Sequence, residues 1–129
     1  MATIEMNSEN FQETIENNDI VFIDYWADWC GPCRAFKPVF EKASESNPEI
    51  TFAKVDTEQQ QELAAAFQIR SIPTLMVFRE GIMLFNQAGA LPEPVLSDLI
   101  SQVKKLDMDE VRQKIAELEA QQKQESETN

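Results

Sequence analysis

The spacing of apolar positions changes along the chain and divides it into short elements. Ile4–Met6 reads as a short edge strand. Phe11 and Ile15, four apart, mark one face of a helix that Asn7 or Ser8 can cap and that runs to about Asn17. Asn17-Asn18-Asp19 is a turn. Ile20–Ala27 is an almost continuous apolar and β-branched run interrupted by Asp24, the pattern of a strand buried on both faces. Cys30-Gly31-Pro32-Cys33 follows directly. Pro32 suits the first position of a helix, where a missing N–H costs little. That helix continues past Phe36, Val39 and Phe40 to about Ser46, and Pro38 inside it should kink it.

Ile50–Asp56 is the next strand, and the Gln/Glu/Ala-rich stretch Glu58–Phe67 is helical. Thr74–Arg79 and Ile82–Ala88 form a hairpin around Glu80-Gly81. Pro92–Lys105 is a helix carrying Val95, Leu96, Leu99, Ile100 and Val103. The order β-α-β-α-β-α-β-β-α predicts an α/β domain whose first strands pair in parallel and whose hairpin adds an antiparallel edge. Residues 106–129 read as an extension of the domain formed by residues 1–105. Met108, Val111, Ile115 and Leu118 make one narrow helical stripe, and Glu110–Lys114 and Glu119–Lys123 are favourable i,i+4 pairs. This stripe packs back on its own domain, pairs with another subunit or docks on a client. The polar end of the chain should be disordered.

Composition narrows the functions available. At 129 residues the chain is the size of one domain. Asp and Glu number 23 against 11 Lys and Arg, a net charge of −12 that argues against nucleic acid or an anionic membrane as partner. There is no His, which removes the commonest general base and metal ligand. No apolar run approaches the ~20 residues of a membrane helix. No basic-then-apolar leader is visible at the N-terminus, so a reducing cytoplasm is the expected compartment.

The two cysteines, Cys30 and Cys33, carry the strongest chemical signal. Two intervening residues at a helix start let both sulfurs meet. Cys30 is expected to be exposed at the positive end of the helix dipole, with its pKa lowered toward ~7. Cys33, one turn in, is expected to be shielded and to attack second, on a mixed disulfide. Two thiolates cannot fill the four positions of zinc, so a metal or iron–sulfur site requires a dimer.

Asp24 lies mid-strand, six residues before Cys30, and Lys54 lies in the next strand. A buried Asp24 with a raised pKa would take the proton of Cys33; the alternative is a solvated Asp24 and an ordinary surface Lys54. Pro73, in Ile72-Pro73-Thr74, sits at a strand start. Most X–Pro bonds are trans, so the residues alone read as a trans Pro that blocks the strand start. Gly89-Ala90 alone reads as a plain turn. Trp29 is expected to be exposed beside Cys30, and Trp26 to pack in the strand–helix corner.

The segment Val21-Phe22-Ile23-Asp24-Tyr25-Trp26-Ala27-Asp28-Trp29-Cys30-Gly31-Pro32-Cys33-Arg34 resembles the active-site segment of thioredoxins. The resemblance extends in order over about residues 3 to 105, through Pro38, Phe52-Ala53-Lys54-Val55-Asp56, Ile69-Arg70-Ser71-Ile72-Pro73-Thr74-Leu75, Glu80-Gly81 and Gly89-Ala90-Leu91. It implies the thioredoxin fold, a five-stranded mixed sheet flanked by four helices, and protein disulfide reductase activity. Cys30 is then the nucleophile and Cys33 the resolving thiol. Asp24 is the buried carboxylate with Lys54 its neighbour. Pro73 is a cis-Pro facing the dithiol, and Trp29, Gly31, Pro32, Ile72, Gly89 and Ala90 line the substrate groove. The implied partners are disulfide-bearing client proteins and a flavin-dependent thioredoxin reductase using NADPH; no cofactor binds the chain itself. Relatives that oxidise or isomerise usually carry a His before the second cysteine. Pro32 supplies no such cation, which predicts a reducing couple near ~−270 mV. The extension after Lys105 departs from the compact family members.

Overall fold

The computed structural model describes residues 2–128. The elements in chain order are β1 (Thr3–Glu5), α1 (Phe11–Asn17), β2 (Ile20–Trp26), α2 (Gly31–Ser46), β3 (Thr51–Asp56), α3 (Gln61–Ala66), β4 (Thr74–Arg79), β5 (Ile82–Ala88), α4 (Glu93–Lys105) and α5 (Met108–Thr128). The chain divides into two compact units after Asp98, within α4.

The first unit contains one mixed sheet of order β1-β3-β2-β4-β5. β3 pairs in parallel with both β1 and β2, and β4 runs antiparallel to β2 and β5. The most apolar strand is therefore central: every residue of β2 from Ile20 to Tyr25 is buried. Side chains along a strand alternate between faces. Val21, Ile23 and Tyr25 of β2 join Ala53, Val55, Met76 and Phe78 in a cluster with Ile15 of α1 and Leu63 of α3. Phe11 closes that side, its ring centroid 5.0 Å from Phe67 and 6.1 Å from Phe78. The other face carries Phe22 and Phe52, 5.3 Å apart, against Phe40 of α2, itself 5.3 Å from Phe52 and 5.8 Å from Phe36. The same alternation places Asp24 with Phe22, and Lys54 with Phe52, on the α2 face. The β2–β3 register sets Asp24 opposite Lys54.

The hairpin turn has Glu80 at φ 52° and Gly81 at φ 78°. Two successive positive φ values match the twist of antiparallel strands, and glycine at the second position adopts one without strain.

Several boundaries differ from the sequence expectation. β1 lies one residue earlier than Ile4–Met6. Asn7 does not cap α1: its Oδ1 accepts from the main-chain N–H of Glu9 and Asn10, both at 2.9 Å, making a turn that leaves Asn10 at the cap position. α3 starts at Gln61 because Asp56 Oδ1 accepts from Glu58 N (2.9 Å) and Gln59 N (3.4 Å), holding the preceding residues as a turn. The polar C-terminal stretch expected to be disordered is helical to Thr128, consistent with its Gln, Glu, Lys and Ala content. Asp107 Oδ1 accepts from Asp109 N and Glu110 N at the start of that helix. Along the α5 stripe Met108 is buried, Val111 and Ile115 are half-buried, and Leu118 is 58% exposed.

Phe40 is fully buried between Phe36 and Phe52. Phe40→Ala is expected to cost about 3–5 kcal/mol, read as a lowered urea midpoint with an unchanged slope.

Candidate active site

β2 ends at Trp26, and α2 begins five residues later at Gly31 with Cys30 as its N-cap. Cys30 has extended backbone, φ −91° and ψ 111°, and its Sγ accepts from the main-chain N–H of Cys33 at 3.2 Å. That N–H is one of the donors a helix start leaves without an intrahelical partner. Pro32 occupies the second helical position rather than the first, where its lack of an N–H also costs nothing. Cys30 and Cys33 form a disulfide with Cα atoms 5.2 Å apart.

The expected contrast between an exposed Cys30 and a shielded Cys33 is corrected: each is 4% exposed. The loop before β4 packs on Cys30, with the Ile72 carbonyl oxygen 3.6 Å from its Sγ. The Ile72–Pro73 peptide is cis. The Pro73 carbonyl accepts from Gly89 N at 2.8 Å, so residues 72–73 and 89–90 are neighbours. Gly89 has φ 112°, a backbone state that glycine adopts freely. Gly31, Pro32, Gly89 and Ala90 are exposed and Ile72 is half-buried.

Trp29 is 66% exposed, and its indole Nε1 donates to Glu58 Oε1 at 2.6 Å. The turn bearing Glu58 is fastened to the end of β2, because Thr57 N and Thr57 Oγ1 both donate to Trp26 O, at 2.9 and 3.1 Å. Glu58 was not singled out from the sequence. It is one of many acidic residues, and its role depends on a contact 29 residues away.

Asp24 is 1% exposed, and its Oδ1 has no hydrogen-bond partner among the described residues. Burial raises its pKa to about 7, opposed by the charge of Lys54. Lys54 is half-buried, its Nζ 4.9 Å from the centre of the Trp26 ring. Asp24, Lys54 and Cys33 line one cavity of about 220 Å³, so the solvated-Asp24 and surface-Lys54 alternatives do not describe the fold. Arg34 and Lys37 line it as well, and neither was a candidate from the sequence. None of the residues expected to form a client groove, Trp29, Gly31, Pro32, Ile72, Pro73, Gly89 and Ala90, lines this cavity. The dithiol thus has a carboxylate chamber on one side and an exposed aromatic and backbone surface around it.

A strand that delivers a cysteine pair to a helix start, with a buried carboxyl behind the second sulfur, defines a thiol–disulfide exchange centre. The thioredoxin family model matches residues 2–105. Over 120 residues the chain is 58% identical to a putative thioredoxin 2 of Streptomyces coelicolor, covering 93% of this chain and 90% of that one. Among solved structures it is similar to a mutant thioredoxin of Halobacterium salinarum, with TM-score 0.74, 33% identity, and coverage of 81% of this chain and 92% of that one. A thioredoxin of Plasmodium falciparum gives TM-score 0.71 at 31% identity, covering 78% and 97%. The chain belongs to the thioredoxin family, and it is a protein-disulfide oxidoreductase acting through the Cys30–Cys33 couple.

The buried carboxyl has a cost that depends on pH. A folded-state pKa raised from 3.8 to about 7 means that the folded chain holds the proton more tightly than the unfolded one. Stability therefore falls as pH rises from about 4 to 7 and levels off above. Asp24→Asn is expected to be more stable than the parent above pH 7, by up to about 4 kcal/mol, and to lose this pH dependence. Chemical denaturation at a series of pH values checks both.

Proposed function

We propose that the Cys30 thiolate attacks a client disulfide, forming a mixed disulfide and releasing one client thiolate. Cys33, deprotonated by Asp24, then attacks Cys30 Sγ. This forms the Cys30–Cys33 disulfide and expels the second client thiolate. Two electrons pass from the dithiol to the client, and the Cys33 proton ends on Asp24. The observation that carries these roles is the asymmetry of the two sulfurs. Cys30 receives the Cys33 N–H at the helix start, which favours its thiolate. Cys33 lines the Asp24 cavity. A carboxyl titrating near 7 can take up a proton and release it again at neutral pH.

In the same reading Trp29, Gly31, Pro32, Ile72, Pro73, Gly89 and Ala90 form the client groove, and Lys54 tunes Asp24. The functional domain is residues 1–105, with 106–129 an extension whose helix α5 leaves Leu118 available to a partner. The electron donor is a thioredoxin reductase, and the compartment is the cytoplasm. No helix among the described residues is long and apolar enough to cross a membrane.

Cys30→Ser is expected to abolish reduction of a protein disulfide, and Cys33→Ser to accumulate mixed disulfides visible on non-reducing gels. Absence of trapping would overturn the assignment of roles. The couple should equilibrate near ~−270 mV in dithiothreitol redox buffers; a value near ~−200 mV would assign an isomerase or oxidant role instead. Asp24→Asn should slow resolution of the mixed disulfide more than the first attack, measured by single-turnover kinetics. Deleting residues 107–129 should leave disulfide reduction intact.

A further inference from the structure

Residues 1–98 carry six Lys and Arg against sixteen Asp and Glu. Three of those six cations, Arg34, Lys37 and Lys54, nevertheless line one cavity beside Cys33. Lys54 is committed there to the Trp26 ring and to the charge of Asp24. Arg34 and Lys37 are different. They lie one helical turn apart on α2, both are exposed, and neither has an ion-pair partner among the described residues. Asp28 is the one exposed acid on the same lining.

We propose that Arg34 and Lys37 form an anion subsite that takes an acidic side chain flanking the client disulfide. The proposal rests on the disulfide-reductase reading and adds a client preference to it. A uniformly acidic surface repels acidic clients, so a local cationic rim beside the reacting sulfurs decides whether such clients can approach. The guanidinium of Arg34 offers a planar pair of donors matched to a carboxylate, and Lys37 adds a second charge three residues on. Space of about 220 Å³ beside Cys33 accommodates a carboxylate-bearing side chain.

The test uses the full chain and a set of synthetic disulfide peptides that differ only in one residue flanking the disulfide, either Glu, Gln or Lys, on each side in turn. Wild type is expected to reduce the better-placed Glu peptide with kcat/KM about fivefold above its Gln counterpart at low salt, and the gain should shrink as ionic strength rises. In Arg34→Gln/Lys37→Gln the Glu-to-Gln ratio should fall to near one, read within the variant so that any change in the dithiol itself cancels. Circular dichroism and the reduction potential establish that the variant is folded and redox-competent. Equal rates for Glu and Gln peptides in wild type, or a ratio that survives in the double variant, would overturn the subsite while leaving the reductase reading standing. Failure to reduce every peptide and an intact protein disulfide would overturn both.

Discussion

The hydrogen bond from Cys33 N to Cys30 Sγ joins fold and chemistry in one contact. As a structural device it caps α2, satisfying a donor that the helix start would otherwise leave to solvent. As a chemical device it aims an N–H at the sulfur that carries negative charge in the proposed mechanism. Cysteine is an uncommon cap compared with Ser, Thr, Asn or Asp, and here the capping atom is also the reacting atom. Anything that shifts the α2 start therefore moves the reactive sulfur. The start is fixed through β2, which delivers the chain into it and whose last carbonyl Thr57 holds by two hydrogen bonds.

The price of the site is paid in the middle of the sheet. An apolar residue at Asp24 would continue the packing of Phe22 and Phe52. A carboxyl there is desolvated, and the register that sets it opposite Lys54 only partly offsets that loss. The fold tolerates it because the other residues of β2 from Ile20 to Tyr25 are buried on both faces. A marginally stable domain gives up several kcal/mol at this position, and in the proposed mechanism what it gains is a proton acceptor tuned to neutral pH behind Cys33.

Much of this was legible in the chain. The run Ile20–Trp26 announces a central strand by lacking any alternation. The Cys30–Cys33 spacing then announces a helix start with paired sulfurs. Period-two counting, once the register is known, sends Asp24 and Lys54 to the same face. The exposure of Cys30 was not legible, because the chain segment covering it arrives from Ile72, 42 residues later. The Trp29–Glu58 bond and the gathering of Arg34 and Lys37 around the cavity are tertiary in the same sense. The end of α5 failed for another reason. A polar, low-hydropathy segment carries no packing signal, yet its residues are individually good helix formers and extend a helix already begun at Met108.

Equal burial of the two cysteines changes how their division of labour must be explained. Residue exposure does not distinguish them, since each is 4% exposed. The distinction is electrical. Cys30 caps the N-terminus of α2 and Cys33 lines the cavity that holds the Asp24 carboxyl, and in the proposed mechanism these neighbours make the first sulfur the nucleophile and the second the resolving thiol. In the proposed mechanism, once Cys30 is consumed in a mixed disulfide, the same carboxyl becomes the acceptor that releases the second nucleophile. That mechanism sets the order of the two attacks by which neighbour each sulfur has.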